Sequence, residues 1–244
     1  GNSNFPTGHW GGDIRGYVTP TFYAETGVWS VDPPNVLASR GFDLGLNHST
    51  GVVIPVELGW NPTFGQSQLA GHYKVGAYYD TSTVNDKAFS TISRTGRYGG
   101  YLMADQMLFK LEPDTNRGLI AFGELTFGDR YTSLIPFAYN FGLIFQGPFA
   151  ARPNDYIDIG VGFAHVNDRA RNSAAQIAAL AQSGQVSSNF NQLGETVVEV
   201  GYGLQATPWL LITPNVQYIG NPGAFSYKPI KDAWVFGTTV VVTF

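Results

Sequence analysis

Apolar side chains alternate with small or polar ones along most of this chain, and no other feature constrains the fold as strongly. The stretch WVFGTTVVVTF at residues 234–244 places apolar or nearly apolar residues at every second position: Trp234, Phe236, Thr238, Val240, Val242 and Phe244. Because successive side chains of a β-strand point to opposite faces, a period of two predicts a strand with one apolar face. Strands are predicted in this way at residues 10–18, 22–31, 51–61, 71–80, 97–111, 118–130, 135–146, 155–167, 193–206, 209–219 and 233–244.

The composition favours an all-β protein whose apolar faces lie against lipid. Charged residues make up only 13% of the chain, against about 25% in typical soluble domains, and aromatic residues make up 14%. A soluble β-sandwich, the alternative architecture, would carry Lys, Glu and Arg on its outer faces, and the predicted strands are poor in them. Aromatic residues near the strand ends are typical of membrane interfaces.

The connections between the predicted strands are alternately short and long. Residues 19–21 and 206–208 form short breaks, whereas residues 32–50, 81–96 and 168–192 form long ones. This alternation is typical of outer-membrane barrels, which have tight turns at one end and larger loops at the other. The sequence therefore predicts an antiparallel transmembrane β-barrel of about 11 strands.

Two local features depart from the strand pattern. NSAAQIAALAQSG at residues 172–184 is rich in Ala, with Asn172 or Ser173 as a possible N-cap and Gly184 as a C-terminal stop, so it predicts a short loop helix at about residues 172–183. Asp105 and Gln106 are adjacent polar residues inside a predicted strand, so we expect a bulge or a change of register there.

Several classes of function have no support in the sequence. The net charge of −4 and the lack of a basic run argue against nucleic-acid binding. The chain has no Cys, and His9, His48, His72 and His165 are scattered without the spacing of a metal site, so we expect no metal and no cofactor.

The inward faces of the predicted strands carry a mixture of acids, bases, amides and one aromatic residue. Carboxylates accept hydrogen bonds, Arg and Lys donate them, and amides do both, so this mixture suits neutral polyols better than ions. A phosphate-selective pore would need a line of Arg or Lys. We expect Glu57, Glu124 and Glu199 to accept hydrogen bonds from sugar hydroxyls, although such acids could also pair with nearby bases. The complete set of lumen candidates is Arg15, Glu25, Trp29, Glu57, Lys74, Glu124, Asn140, Asp158, Glu199, Asn215 and Gln217.

Three stretches resemble the carbohydrate-selective porins, or glucose porins, of Gram-negative outer membranes. They are GVVIPVELGW at 51–60, GPFAARPNDYIDIGVGFAHVN at 147–167 and ETVVEVGYGLQATPWLLITPNVQYIGNPGA at 195–224. The resemblance implies a 16-stranded barrel in the bacterial outer membrane that passes sugars by diffusion. Family members are longer, so we expect this chain, residues 1–244, to be the C-terminal part of one barrel domain whose N-terminal strands are missing.

The resemblance also implies partners for the chain: outer-membrane lipid, small neutral sugars, the missing N-terminal part of the barrel, and the barrel-insertion machinery. That machinery would read Phe244 as an assembly signal. A small, complete outer-membrane barrel enzyme of the lipase or protease type is the alternative. Such an enzyme needs a nucleophile beside a His, and no GxSxG motif is present, so we expect no catalytic residues. In GPFAARPND, we expect Arg152 to pair locally within a turn that contains Pro148 and Pro153.

Overall fold

The computed structural model describes residues 9–32, 49–89, 91–171, 194–222 and 230–243, and they form an all-β structure with one short helix. The strands are β1 (Gly11–Thr19), β2 (Phe22–Val31), β3 (Gly51–Trp60), β4 (Thr63–Phe64), β5 (Leu69–Asn85), β6 (Ser93–Lys110), β7 (Gly118–Gly128), β8 (Phe137–Gln146), β9 (Tyr156–His165), β10 (Gly194–Thr207), β11 (Leu210–Gly220) and β12 (Ala233–Val242). Helix α1 (Asp168–Arg171) follows β9.

The strands form one antiparallel sheet in which each strand pairs with the next along the chain. The order is β1-β2-β3-β5-β6-β7-β8-β9-β10-β11-β12, and the two-residue β4 pairs with the start of β5. Within the described residues, β1 and β12 are the two edges of this sheet. All eleven predicted strands are present, and the prediction of an all-β, antiparallel fold is confirmed.

The two ends of the sheet differ in the length of their connections. At one end, residues 20–21, 61–68, 111–117, 147–155 and 208–209 make short links. At the other end lie the connections 32–50, 86–92, 129–136, 166–193 and 221–232, of which the first and the last two are longer than any connection at the first end. We call these the short-turn end and the long-loop end.

Aromatic rings collect at both ends of the sheet. Trp60 lies 5.5 Å from Tyr73 and 5.8 Å from Phe64 at the short-turn end, measured between ring centroids. At the long-loop end, Tyr139 lies 5.4 Å from Phe163, and further ring contacts join Phe127 to Phe137 and Tyr218 to Trp234. The predicted aromatic residues at the strand ends therefore form two belts, the arrangement found at the two interfaces of a bilayer.

One face of the sheet exposes large apolar side chains across its whole width. Val56 is 50% exposed, Val200 47%, Phe141 43% and Phe236 77%. A soluble monomer keeps its apolar patches small, because exposing such surface to water is unfavourable. We call this side the apolar face and the opposite side, which carries Arg15, Glu57 and Glu199, the polar face.

The predicted irregularity at Asp105 and Gln106 is wrong in its position. β5 and β6 pair regularly through both residues, and the register shifts between Met107 and Phe109 instead. Asp105 lies on the polar face, where it contacts His72, whereas Gln106 lies on the other face and accepts a hydrogen bond from the hydroxyl of Tyr73. Two adjacent polar residues thus fit a regular strand because each face supplies a partner.

Two other expectations concern residues that the structure does not describe. The predicted loop helix at 172–183 and the proposed assembly signal Phe244 both lie outside the described residues. Among the helical residues that are described, none belongs to a helix long and apolar enough to cross a membrane.

Candidate functional site

All eleven predicted lumen residues lie on the polar face. The ladder pairs Arg15 with Glu25, and Glu25 with Glu57. Farther along the sheet it pairs Glu124 with Asn140, and Glu199 with Gln217. The remaining residues follow from the strand period of two: Trp29, Lys74, Asp158 and Asn215. The strand pairing therefore places all eleven candidates on one face of the sheet.

Arg15 and Glu25 form an ion pair near the edge of the sheet. The Nη2 and Nε atoms of Arg15 lie 2.5 and 2.8 Å from Oε2 of Glu25, and the guanidinium lies 4.3 Å from the centre of the Tyr23 ring. Since both charged groups are already paired, this part of the polar face offers a ligand few unused donors or acceptors.

Glu57 is held by two phenols that the sequence pattern did not identify. Tyr23 donates to Oε1 at 2.6 Å and Tyr101 donates to Oε2, while Nζ of Lys74 lies 4.0 Å from Oε1. Both carboxylate oxygens therefore have a partner, and the Glu57 side chain is only 16% exposed.

Two glycines make room for these phenols. The rings of Tyr23 and Tyr101 lie flat across Gly59 and Gly76, where a Cβ atom would overlap them. Gly59 is the ladder partner of Tyr23, and Gly76 is the ladder partner of both Glu57 and Tyr101. Only residues without a side chain allow the rings to cross to the neighbouring strand and reach Glu57.

The acids on the other half of the sheet are less fully occupied. Gln217 donates to Oε2 of Glu199, but Asn140 reaches Glu124 only at 3.5 Å. Asp158 lies diagonally beside Glu199, on the adjacent strand β9. The sequences of β7 to β12 contain no Lys or Arg, so Glu124, Asp158 and Glu199 have no basic partner on these strands.

A cavity of about 740 Å³ opens on the polar face at the short-turn end. Nδ1 of His72 lies 2.7 Å from Oδ1 of Asp105 at its wall. The sequence analysis did not single out this pair, because the two residues are 33 positions apart and meet only through the β5–β6 register. A His held by a carboxylate could serve as a general base, but the lining residues include no Ser or Cys as a nucleophile, and the hydroxyl of Thr115 donates to the carbonyl of Glu112 at 3.1 Å.

Metal chemistry has no support in the described part of the chain. Its His, Asp and Glu residues include no group of three or more that could bind a metal ion.

The expectation for Arg152 is confirmed. Arg152 forms an ion pair with Asp155, which is 1% exposed and also accepts hydrogen bonds from the Tyr202 hydroxyl and, at 3.0 Å, from the backbone amide of Gln205. The hydrogen bond from Arg152, joined by those from Tyr202 and Gln205, outweighs burial and lowers the pKa of Asp155 below its ordinary value. These bonds therefore tie the turn between β8 and β9 to the end of β10 at the short-turn end.

Two known porins resemble the chain over nearly its full length. It is 29% identical over 260 residues to Porin B of Pseudomonas aeruginosa and 33% identical over 252 residues to the Putative porin QuiX of Acinetobacter baylyi. Each alignment covers 99% of this chain and 56% of the relative, so the chain spans about half the length of these curated relatives.

The fold matches a solved porin. The high-pH structure of Pseudomonas putida OprB aligns with a TM-score of 0.87 and 31% identity, over 99% of this chain and 60% of that one. The characteristic sequence pattern of one family, the carbohydrate-selective porins of the OprB type, extends over residues 1–244. The chain therefore belongs to the carbohydrate-selective porin, OprB family.

Proposed function

We propose that this chain forms a wall of an outer-membrane pore through which small neutral sugars diffuse. The observation that carries the proposal is the division of the sheet into two faces: eleven predicted polar or aromatic candidates share one face, and exposed large apolar residues cover the other. In this arrangement the apolar face contacts lipid and the polar face lines a wet lumen.

Sugars, rather than ions, fit the chemistry of the polar face. Its carboxylates, amides and phenols both accept and donate hydrogen bonds, as sugar hydroxyls do. The described strands contain no row of Arg or Lys of the kind that would select phosphate. Membership of a carbohydrate-selective family supports the same substrate class. No described residue cluster supports an enzyme over a channel.

The rest of a longer porin would complete the barrel. Within the described residues, β1 and β12 each pair on one side only, and unpaired strand edges are not stable within a bilayer. The relatives have additional length to supply further strands. In this proposal the chain remains the C-terminal part of one barrel, assembled in the bacterial outer membrane with the help of the insertion machinery.

Liposome swelling tests the proposal directly. The complete porin, purified in detergent and reconstituted, is expected to let glucose enter and to make the vesicles swell, whereas a polyethylene glycol larger than the lumen should not enter. Vesicles that carry folded, heat-modifiable porin and do not swell in glucose would contradict a sugar pore. Equal swelling with sugars and with every polymer would instead indicate an unselective leak.

A further inference from the structure

The cavity of about 740 Å³ at the short-turn end has the size of a small-molecule pocket, which is typically ~300–1,000 Å³. It lies outside the eleven residues predicted from the sequence. Lys74, Met103 and Glu124 form one row across the polar face. His72 and Asp105 occupy the next polar-face positions on β5 and β6, toward the short-turn end. The cavity therefore begins about 7 Å along the strands from that row, at ~3.3 Å per residue.

Two short turns form rigid walls of this cavity. In the turn between β6 and β7, Arg117 donates from Nη1 to Glu112 at 2.7 Å and from Nε to the carbonyl of Gly147 at 2.9 Å. The second bond links that turn to the one between β8 and β9, which is itself held by Arg152 and Asp155. The walls are thus fixed before any ligand arrives, which lowers the entropy lost on binding.

Unused hydrogen-bonding groups from several elements face the cavity. Among the described residues, the side chains of Lys110, Asn116 and Asn154 line it and have no hydrogen-bond or ion-pair partner. Asp105 uses only Oδ1 toward His72, so its second oxygen is an acceptor without a described partner. The cavity therefore presents free donors and free acceptors together, as a polyol requires.

The charges of the cavity favour a neutral ligand over an anion. Glu112 compensates Arg117, and the lining also contains one carboxylate, that of Asp105, and one ammonium, that of Lys110. Ala70, Met107, Ile120 and Pro153 add apolar lining, which suits the C–H surface of a sugar ring. No cluster of unpaired cations is present in this described region to hold a phosphate or carboxylate.

From this geometry we infer that the short-turn cavity is a second binding station for a neutral sugar, which receives it from the Glu124 row before it leaves the pore. The inference rests on the proposed sugar pore and adds a site to it. Binding must be weak for passage, so we expect a dissociation constant in the roughly millimolar range.

Thiol protection tests the station. This chain has no Cys, so Asn116→Cys and Asn154→Cys each introduce its one thiol, on different walls of the cavity. In the complete porin, glucose well above millimolar concentration should slow maleimide labelling at both positions by about two-fold or more. Asp114→Cys lies in the same turn as Asn116 but outside the cavity, and its labelling rate should not change.

A second substitution separates binding from crowding of the lumen. Asp105→Asn keeps the size of the side chain and removes its charge, so it should raise the glucose concentration needed for protection by about five-fold, the effect of losing ~1 kcal/mol. Equal labelling rates with and without glucose at both cavity positions would overturn the station, as would protection unaffected by Asp105→Asn. If vesicles still swell in glucose in that case, only the binding site in the cavity is refuted and the proposed sugar pore stands. If they do not swell, the proposed function is refuted as well, by a separate measurement.

Discussion

The side chain of Arg94 is bonded to that of Asp86, with Nε of the arginine 2.5 Å from Oδ2 of the aspartate. Asp86 is fully buried at the long-loop end and also binds Nη2 of Arg169, at 3.1 and 3.2 Å. The two guanidiniums lie 4.1 and 4.6 Å from the centre of the Tyr131 ring. One carboxylate and one phenol thus link three successive connections at the long-loop end: residues 86–92, residues 129–136 and the segment 166–171 that follows β9.

Replacing Asp86 by Asn should loosen these connections and leave the sheet intact. The amide keeps an acceptor for the backbone amide of Ala88 but loses the charge that holds both arginines. Hydrogen–deuterium exchange at neutral pH should be faster in residues 86–92 and 129–136, with unchanged protection in β7 and β8. Asp114→Asn, an exposed turn residue at the other end, is the matched control. Unchanged exchange in both connections would show that Asp86 does not hold them together.

Asp155 gives the short-turn end a predictable dependence on pH. Its pKa is lowered in the fold, so the ionised carboxylate stabilises the folded state above the unfolded pKa of about 3.9. This contribution is lost as pH falls through the lowered pKa. Asp155→Asn should reduce the free energy of unfolding at pH 7 by ~1.5–3 kcal/mol, the range for hydrogen bonds to a charged group.

Heat-unfolding midpoints of the wild type and Asp155→Asn, measured at several pH values in detergent, check this expectation. The difference should be largest at neutral pH and should shrink below about pH 4, where the carboxyl takes up its proton in the unfolded chain while it is still ionised in the fold. A difference that stays constant into strong acid would mean that packing, rather than charge, explains the effect of the substitution.

Substitutions on the two faces should differ in their effect on the stability of the inserted porin. Val200→Arg or Phe141→Arg places a charge on the apolar face and should destabilise the folded porin by ~2–4 kcal/mol if the site is near the bilayer midplane. Glu199→Gln, one residue from Val200 but on the polar face, should have little effect. Urea titrations in lipid vesicles measure both. Similar losses for the two kinds of change would refute the assignment of the faces.

The positions of the strands and their faces could be predicted because alternation is a local property of the sequence. It failed where alternation stops: residues 81–96 were expected to be a long break, but β5 continues to Asn85 and β6 begins at Ser93. There the strands are joined by hydroxyl groups rather than by an apolar face, with Thr83 and Thr95 2.8 Å apart across the ladder. Such a polar extension has no period-two signal to detect.

The partners of the polar residues could not be predicted, because they depend on register between distant strands. Glu57 is bonded by Tyr23 from β2 and Tyr101 from β6, which are 34 and 44 positions away. The glycine opposite each tyrosine could have indicated these contacts, but it can be recognised only once the strand pairing is known. The acids therefore looked equivalent in the sequence and differ in the structure.

This difference ranks the acids as acceptors for sugar. Both oxygens of Glu57 are engaged by phenols and one oxygen of Glu199 by Gln217, whereas Glu124 has only the long contact to Asn140. In single-channel recordings of the complete porin, glucose should block ion current. Glu124→Ala should raise the concentration for half-block by about five-fold for each hydrogen bond lost, at ~1 kcal/mol each. Open conductance should change little.

Glu57→Ala should act differently, because it removes the partner of two phenols and so disturbs the wall instead of a free acceptor. We expect it to lower the free energy of unfolding, with a smaller effect on glucose block than Glu124→Ala. Tyr101→Phe gives the matched test, since it frees one oxygen of Glu57 while keeping the ring over Gly76. It should leave the block equal to the wild type or strengthen it.

If glucose block is unaltered by Glu124→Ala while conductance and ion preference shift, this acid is part of the electrostatic lining. The sugar would then bind to other residues of the complete pore.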